Sequence, residues 1–192
     1  MGVNLQKGQS VSLVKEGGGR LTRVRMGLGW DAMKKKGMFG KVKEQAIDLD
    51  ASCLLFGADR QLIDSVWFQQ LTSKDGSVRH TGDNLTGAGE GDDESVIVDL
   101  LAVPASVQTL VFTVNSFTGQ DFSQIENAFC RLVDETNQAE LARYELSGSG
   151  RHNAQIMAKV TRDGSAWSMT AIGATATGRT IKDLLPAVAN HL

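Results

Sequence analysis

Cysteine and proline are scarce in this chain, with two of each in 192 residues. The cysteines, Cys53 and Cys130, each sit inside an apolar run; they make no disulfide framework and suit a reducing compartment. So little proline beside 21 glycines favours many tight turns over a disordered chain. No apolar run approaches the roughly 20 residues of a membrane-spanning helix. The opening MGVNLQKGQSVSL holds no apolar h-region, and Gln6 stands where a myristoylation signal needs Ser or Thr. Charge of one sign is also lacking: a formal net charge of −2 gives no global reason to expect nucleic acid or an acidic substrate. The histidines His80, His152 and His191 are scattered, and no serine or cysteine lies in a nucleophile motif. These absences lead to the expectation of a soluble, cytoplasmic, non-enzymatic protein. Its single domain, Met1 to Leu192, is long enough to bury a core.

What the chain does have is period-two alternation. In LTRVRMGLGW, Val24, Met26, Leu28 and Trp30 share one face and Arg23 and Arg25 take the other. In IDLDASCLLF, Ile47, Leu49, Ala51, Cys53 and Leu55 share one face, opposite Asp48, Asp50 and Ser52. That second face is acidic at its start and apolar at Leu54 and Phe56, which suits a strand entering a core from an acidic rim. TLVFTVNSF and AFCRLVDE are short and rich in branched and aromatic residues. Asp163-Gly164 marks a hairpin turn, and SKDGS, Ser73 to Ser77, marks another. The pattern predicts a mainly all-β chain, an antiparallel β-sandwich of two sheets with a few short helices. One helical turn fits GQDFSQIENAF. A C-terminal helical segment fits 180–192, with Ile181, Leu184, Leu185, Val188 and Leu192 at helical spacing and Thr180 and Asp183 as a capping pair. Pro186 lies inside that segment and is expected to kink it. Trp30, Trp67 and Trp167 are expected in the core, as are both cysteines.

The stretch HTGDNLTGAGEGDDE, His80 to Glu94, gathers four glycines and five carboxylates into fifteen residues. Its side chains are oxygen donors almost throughout, and only His80 offers nitrogen. Oxygen donors suit hard cations such as Ca²⁺, whereas zinc favours sulfur or imidazole. Carboxylates this close repel one another unless a cation neutralises them or some take up a proton. The loop is not an EF-hand, because Leu85 and Ala88 fall where that pattern needs Asp or Asn and then Gly. Upstream, Asp48 and Asp50 project from one strand face, roughly 6.5–7 Å apart, and Asp31 closes GLGWD.

GLGWD, DLDAS, LTSKDGSVRHTGDNLTGAGEGDDE, IENAFCRLVD and ARYEL resemble the TerD family of tellurite-resistance and stress-response proteins. The likeness runs from about Val11 to Ala174, and Ala88 is a mild departure from it. The sequence is most similar to members with a basic insertion between GWD and DLD, here AMKKKGMFGKVKEQAI. The resemblance implies a two-sheet β-sandwich that binds Ca²⁺ through loops at one end. It implies a cytoplasmic bacterial protein linked to resistance to tellurite, other chemical stress, phage or colicins, acting with protein partners in a membrane-associated complex. The ligand candidates it carries over are Asp31, Asp48, Asp50, Asp83, Asn84, Glu90, Asp92, Asp93 and Glu94. Replacing Asp83 or Asp92 by alanine is expected to remove most of the calcium response.

Two other readings stand beside it. A cluster of carboxylates holding a metal also supports phosphoester hydrolysis. The basic stretch Lys34 to Lys43, part of an inserted loop over 34–46, suits contact with an anionic membrane, Met38 and Phe39 adding apolar anchoring. Nucleic-acid binding through Arg20, Arg23, Arg25 and the lysine loop is a further alternative, though nucleic acid is not the expected partner, since no recognised module accompanies these residues.

Overall fold

The alternating runs become strands, and their apolar faces meet. The computed structural model describes residues 3–4, 8–12, 21–31, 33–36, 42–45, 47–84, 91–146 and 150–192. Strands β1 (Val3–Asn4), β3 (Arg23–Asp31), β8 (Val78–His80), β9 (Glu94–Asp99), β11 (Glu126–Asp134) and β12 (Ala139–Glu145) form one sheet in the order β1-β12-β11-β3-β9-β8. Strands β2 (Ser10–Ser12), β6 (Leu49–Phe56), β7 (Leu62–Val66), β10 (Thr109–Ser116), β13 (Ala154–Asp163) and β14 (Ala166–Ala176) form the second, in the order β2-β14-β13-β10-β6-β7. Pairing is antiparallel except for the two-residue match of β1 with β12. The expected two-sheet sandwich is therefore present.

The core lies between the sheets. Val24, Met26, Leu28 and Trp30 from β3 meet Cys53, Leu55, Leu110 and Phe112 from β6 and β10. Both cysteines are free and buried, and burial pushes the Cys130 thiol up to about 12. All three tryptophans are buried. A second, smaller core lies on the outer face of the second sheet. There Leu54, Phe56, Val111, Ile156 and Ile172 receive Leu184 and Val188 of α1 (Ile181–Ala189). This accounts for β6 being buried along its whole length, on both faces. The carboxylate of Asp183 accepts the backbone N–H groups of Thr180 at 3.0 Å and Arg179 at 2.9 Å, which starts the helix, and the helix runs on through Pro186.

The expected turns form. Gly164 adopts φ +58° between β13 and β14, and a 3₁₀ turn spans Phe122–Gln124. The basic insertion differs from a plain loop: β4 (Met33–Lys36) and β5 (Val42–Gln45) pair as a separate two-stranded antiparallel ribbon. Residues 37–41, with Met38 and Phe39, lie outside the described residues.

Candidate metal centre

The strands bring the acidic residues to one end of the sandwich, where β3 finishes and β6 and β9 begin. Asp48 and Asp50 are not on an open face: Asp48 is 8% exposed and Asp50 3%. The exposed Asp83 joins them, and one carboxylate oxygen of each lies within 4.8 Å of the others. Burial pushes the Asp48 carboxyl up to about 6, with help from the charges of Asp83 and Glu94. Burial pushes Asp50 further, to about 8, with Glu94, Asp48 and Asp83 adding to it and a hydrogen bond from Asn115 opposing. Asn115 Nδ2 donates to Asp50 Oδ2 at 2.9 Å and to the Arg179 carbonyl at 2.7 Å.

Several oxygens here have no hydrogen-bond partner among the described residues. They are Asp48 Oδ1, Asn115 Oδ1, Ser52 Oγ and Thr113 Oγ1, all buried. The β6–β10 register sets Asn115 beside Asp50 and Thr113 beside Ser52, so they share the face of the aspartates. A buried acceptor without a donor costs about 1–3 kcal/mol. A hard cation is the partner that the Asp48 and Asn115 oxygens fit, while Ser52 and Thr113 lie further along the strands.

Glu94 does something else. β7 pairs with β6 only as far as Cys53, which leaves the β6 edge open at Ala51. Glu94 Oε2 accepts the Ala51 N–H at 2.8 Å, and Oε1 accepts the Asn84 N–H at 3.0 Å. The Gly82 N–H donates to His80 Nδ1 at 3.1 Å, so the ring proton sits on Nε2, which donates to the Ala51 carbonyl at 3.1 Å. Two side chains of one sheet thus take the place of a missing strand in the other. This clasp engages both oxygens of Glu94 and both ring nitrogens of His80.

Asp93 also serves the backbone. Its Oδ2 accepts the Trp30 N–H at 2.9 Å and its Oδ1 accepts Asn84 Nδ2 at 3.0 Å. Burial foremost, then the charges of Asp31 and Asp92, raise its pKa. Asp31 is exposed and accepts Asn127 Nδ2 at 2.6 Å. Asp92 leaves the cluster altogether, gripped by the Arg25 guanidinium and, at 2.6 Å, by Arg131 Nε. Glycine makes this possible. A Cβ on Gly27 would collide with the Asp92 carboxylate, and one on Gly29 would lie 2.5 Å from the Gly91 carbonyl oxygen. The glycines of GLGW let the end of the acidic loop lie flat on β3. Glu90 lies outside the described residues.

Of the nine expected ligands, then, the structure gathers Asp48, Asp50 and Asp83. It joins Asn84 by hydrogen bonds to Asp93 and Glu94, whose other oxygens take the Trp30 and Ala51 N–H groups, and it turns Asp92 to the arginines. Asn115 and Thr113 were missing from the expectation, which had placed Ser52 on the face of the aspartates. The signal of Asn115 and Thr113 was a polar alternation inside FTVNSF, which gains meaning only once β10 is known to pair with β6.

A profile of the TerD domain matches residues 1–187. The chain is 48% identical over 184 residues to the Tellurium resistance protein TerZ of Serratia marcescens, covering 95% of this chain and 94% of that one. It is 39% identical over 197 residues to the Stress response protein SCP2 of Bacillus subtilis (strain 168), covering 96% and 98%. Among solved structures it superposes on a homologue of telluride resistance protein (TerD) from Streptomyces coelicolor A3(2). That match has a TM-score of 0.70 at 20% identity and covers 84% of this chain and 94% of the other, a likeness of fold.

Proposed function

The chain belongs to the TerD family of tellurium-resistance and stress-response proteins, and from that premise we propose that it is a calcium-binding module. In this reading it works in the cytoplasm as a non-catalytic component of a larger stress-resistance assembly, and Ca²⁺ orders the acidic end of the sandwich. The observation that carries the reading is the close approach of Asp48, Asp50 and Asp83, together with a buried Asp48 oxygen that has no hydrogen-bond partner among the described residues. The donors are all oxygen, and the one nearby imidazole is engaged in the clasp, so a hard cation is favoured over zinc. A neutral oxygen of Asn115, opposite Asp50, adds to the carboxylates, and such a mixed oxygen set suits the flexible coordination of Ca²⁺ better than the stricter needs of Mg²⁺. Bound Ca²⁺ supplies the positive charge this pocket lacks. On binding, Asp50 releases the proton that burial makes it keep at neutral pH.

Calorimetric titration of metal-stripped protein with Ca²⁺, and separately with Mg²⁺, tests this by giving site number, affinity and selectivity. Ca²⁺ at one hundred times its dissociation constant is expected to add about 2.7 kcal/mol of stability. A melting curve indifferent to thorough chelation would sink the reading. Trp30 offers an optical report, since its indole donates to the Ile47 carbonyl beside Asp48 at 2.8 Å.

The basic ribbon supports the membrane side of the reading. Its register sets Lys35 opposite Lys43. A segment this rich in lysine is attracted to an anionic surface. Co-sedimentation with acidic lipid vesicles at two salt concentrations tests the contact; binding indifferent to salt excludes it.

A further inference from the structure

Large apolar side chains are mostly hidden among the described residues; the exceptions are Leu62, Ile63, Leu71, Leu101 and Phe117, and of these we single out Phe117, 42% exposed, and Leu71, 43%. Both stand at the acidic end. The Phe117 N–H donates to the Asp48 carbonyl at 3.0 Å, and the Leu71 carbonyl accepts the N–H of His80 at 2.8 Å. The Phe117 ring meets Phe68 edge-on at 5.6 Å, and Phe68 meets the buried Trp67 at 4.9 Å. The exposed ring is thus the outermost of three, rooted in the core.

Its exposure is built. Ser116 Oγ accepts the N–H groups of Gly119 and Gln120, each at 3.1 Å, which closes a tight turn just beyond Phe117. Arg179 Nη2 donates to the Thr118 carbonyl at 3.2 Å and ties that turn to the start of α1. Cations stand nearby: Arg179 itself, and Lys182, whose Nζ lies 5.6 Å from the Trp67 ring. The ribbon that carries Lys35 and Lys43 leaves the sandwich between Asp31 and Asp48, at this same end.

Protruding apolar side chains flanked by cations suit a lipid–water interface, where rings reach the acyl boundary and cations meet the headgroups. The obstacle is the negative charge that this cluster, the exposed Asp83 above all, turns toward an anionic surface when no cation is bound. We propose that this end is a calcium-gated docking face for an anionic bilayer. Phe117 and Leu71 insert, and lipid phosphate approaches the cation held by the three aspartates. The inference rests on the calcium reading above, which supplies the gate.

The test is co-sedimentation of the full chain with phosphatidylcholine vesicles, with or without phosphatidylserine, in Ca²⁺ or in chelator, at a salt concentration that suppresses lysine-driven binding. The expected result is pelleting at least about tenfold greater with phosphatidylserine and Ca²⁺ than in any other arm, reflecting burial of apolar surface only when the gate is neutralised. The double variant Phe117→Ala and Leu71→Ala is expected to lose that gain while its calorimetric Ca²⁺ titration stays as in the wild type. Phe117→Trp is expected to restore binding partly and to shift its emission to the blue on vesicles. Wild-type protein that binds Ca²⁺ in the calorimeter yet stays in the supernatant overturns the lipid face, leaves the calcium site standing and points the aromatic turn toward a protein partner. Equal pelleting in chelator overturns the gate. No calcium heat at all removes the premise and the inference with it.

Discussion

Asp92 and Asp50 are both almost closed off from solvent, and the protein treats them in opposite ways. The Asp92 side chain is 4% exposed and lies between the guanidinium groups of Arg25 and Arg131. Asp50 is 3% exposed, has one amide donor in Asn115 and is surrounded by other carboxylates. One site is neutralised from within and needs nothing from outside. The other is short of positive charge. The difference shows that carboxylates adjacent in sequence can serve separate ends. Asp92 enters an ion pair, Asp93 accepts from a backbone amide, and Glu94 joins the two sheets through its clasp.

Four changes test this contrast. Glu94→Ala strips acceptors from the Ala51 and Asn84 N–H groups and removes a partner of His80. The expected cost is about 3–5 kcal/mol, read as a melting temperature lower by roughly 10 °C in chelator and in Ca²⁺ alike. Asp50→Asn is expected to weaken Ca²⁺ binding about a hundredfold, or about 2.7 kcal/mol, by calorimetry. Because an amide imitates the protonated carboxyl, the metal-free variant is expected to melt at or above the wild-type temperature. A large fall there contradicts a protonated Asp50.

Asp92→Ala separates the two sites. It is expected to cost about 2–3 kcal/mol, with allowance for the partly open arginines, while calcium affinity changes less than about threefold, under 0.7 kcal/mol. Loss of the calcium response would return Asp92 to the ligand set. A change of pH probes the uncompensated site without any substitution. Asp48 and Asp50 have folded pKa values, about 6 and about 8, raised above the unfolded value of 3.8. The folded metal-free protein therefore holds more protons than the unfolded chain between those limits. Its stability is expected to fall as pH rises from 5 to 8, by at most about 1.4 kcal/mol per unit per group. Calcium affinity is expected to rise over the same interval, and melting scans with and without Ca²⁺ at each pH check both slopes.

The sandwich was legible because burial alternates along its strands: Val24, Met26, Leu28 and Trp30 face inward as their spacing requires. Asp163-Gly164 and the capping pair of α1 were legible because turn and cap chemistry is local. Asp48, Asp50 and Asp83 were visible as ligand candidates, but the burial that raises the pKa of the first two was not. That burial depends on the rest of the fold, including the aromatic turn after β10 and the helix beside it. The position of Asp92 was hidden for a similar reason, since Arg25 and Arg131 lie 67 and 39 residues away in sequence. The ribbon was hidden because glycine and lysine suit a loop as well as a strand.

The clasp at Ala51 has one more consequence. An unaccompanied stretch of β6 backbone is a template onto which a strand of another molecule can add. Glu94 and His80 occupy the donor and acceptor that such an intruder would use. With both groups engaged, strand addition at Ala51 has no free backbone group to start from, and a chain that has lost Glu94 is expected to aggregate on heating at a lower temperature than the intact one, as read by light scattering.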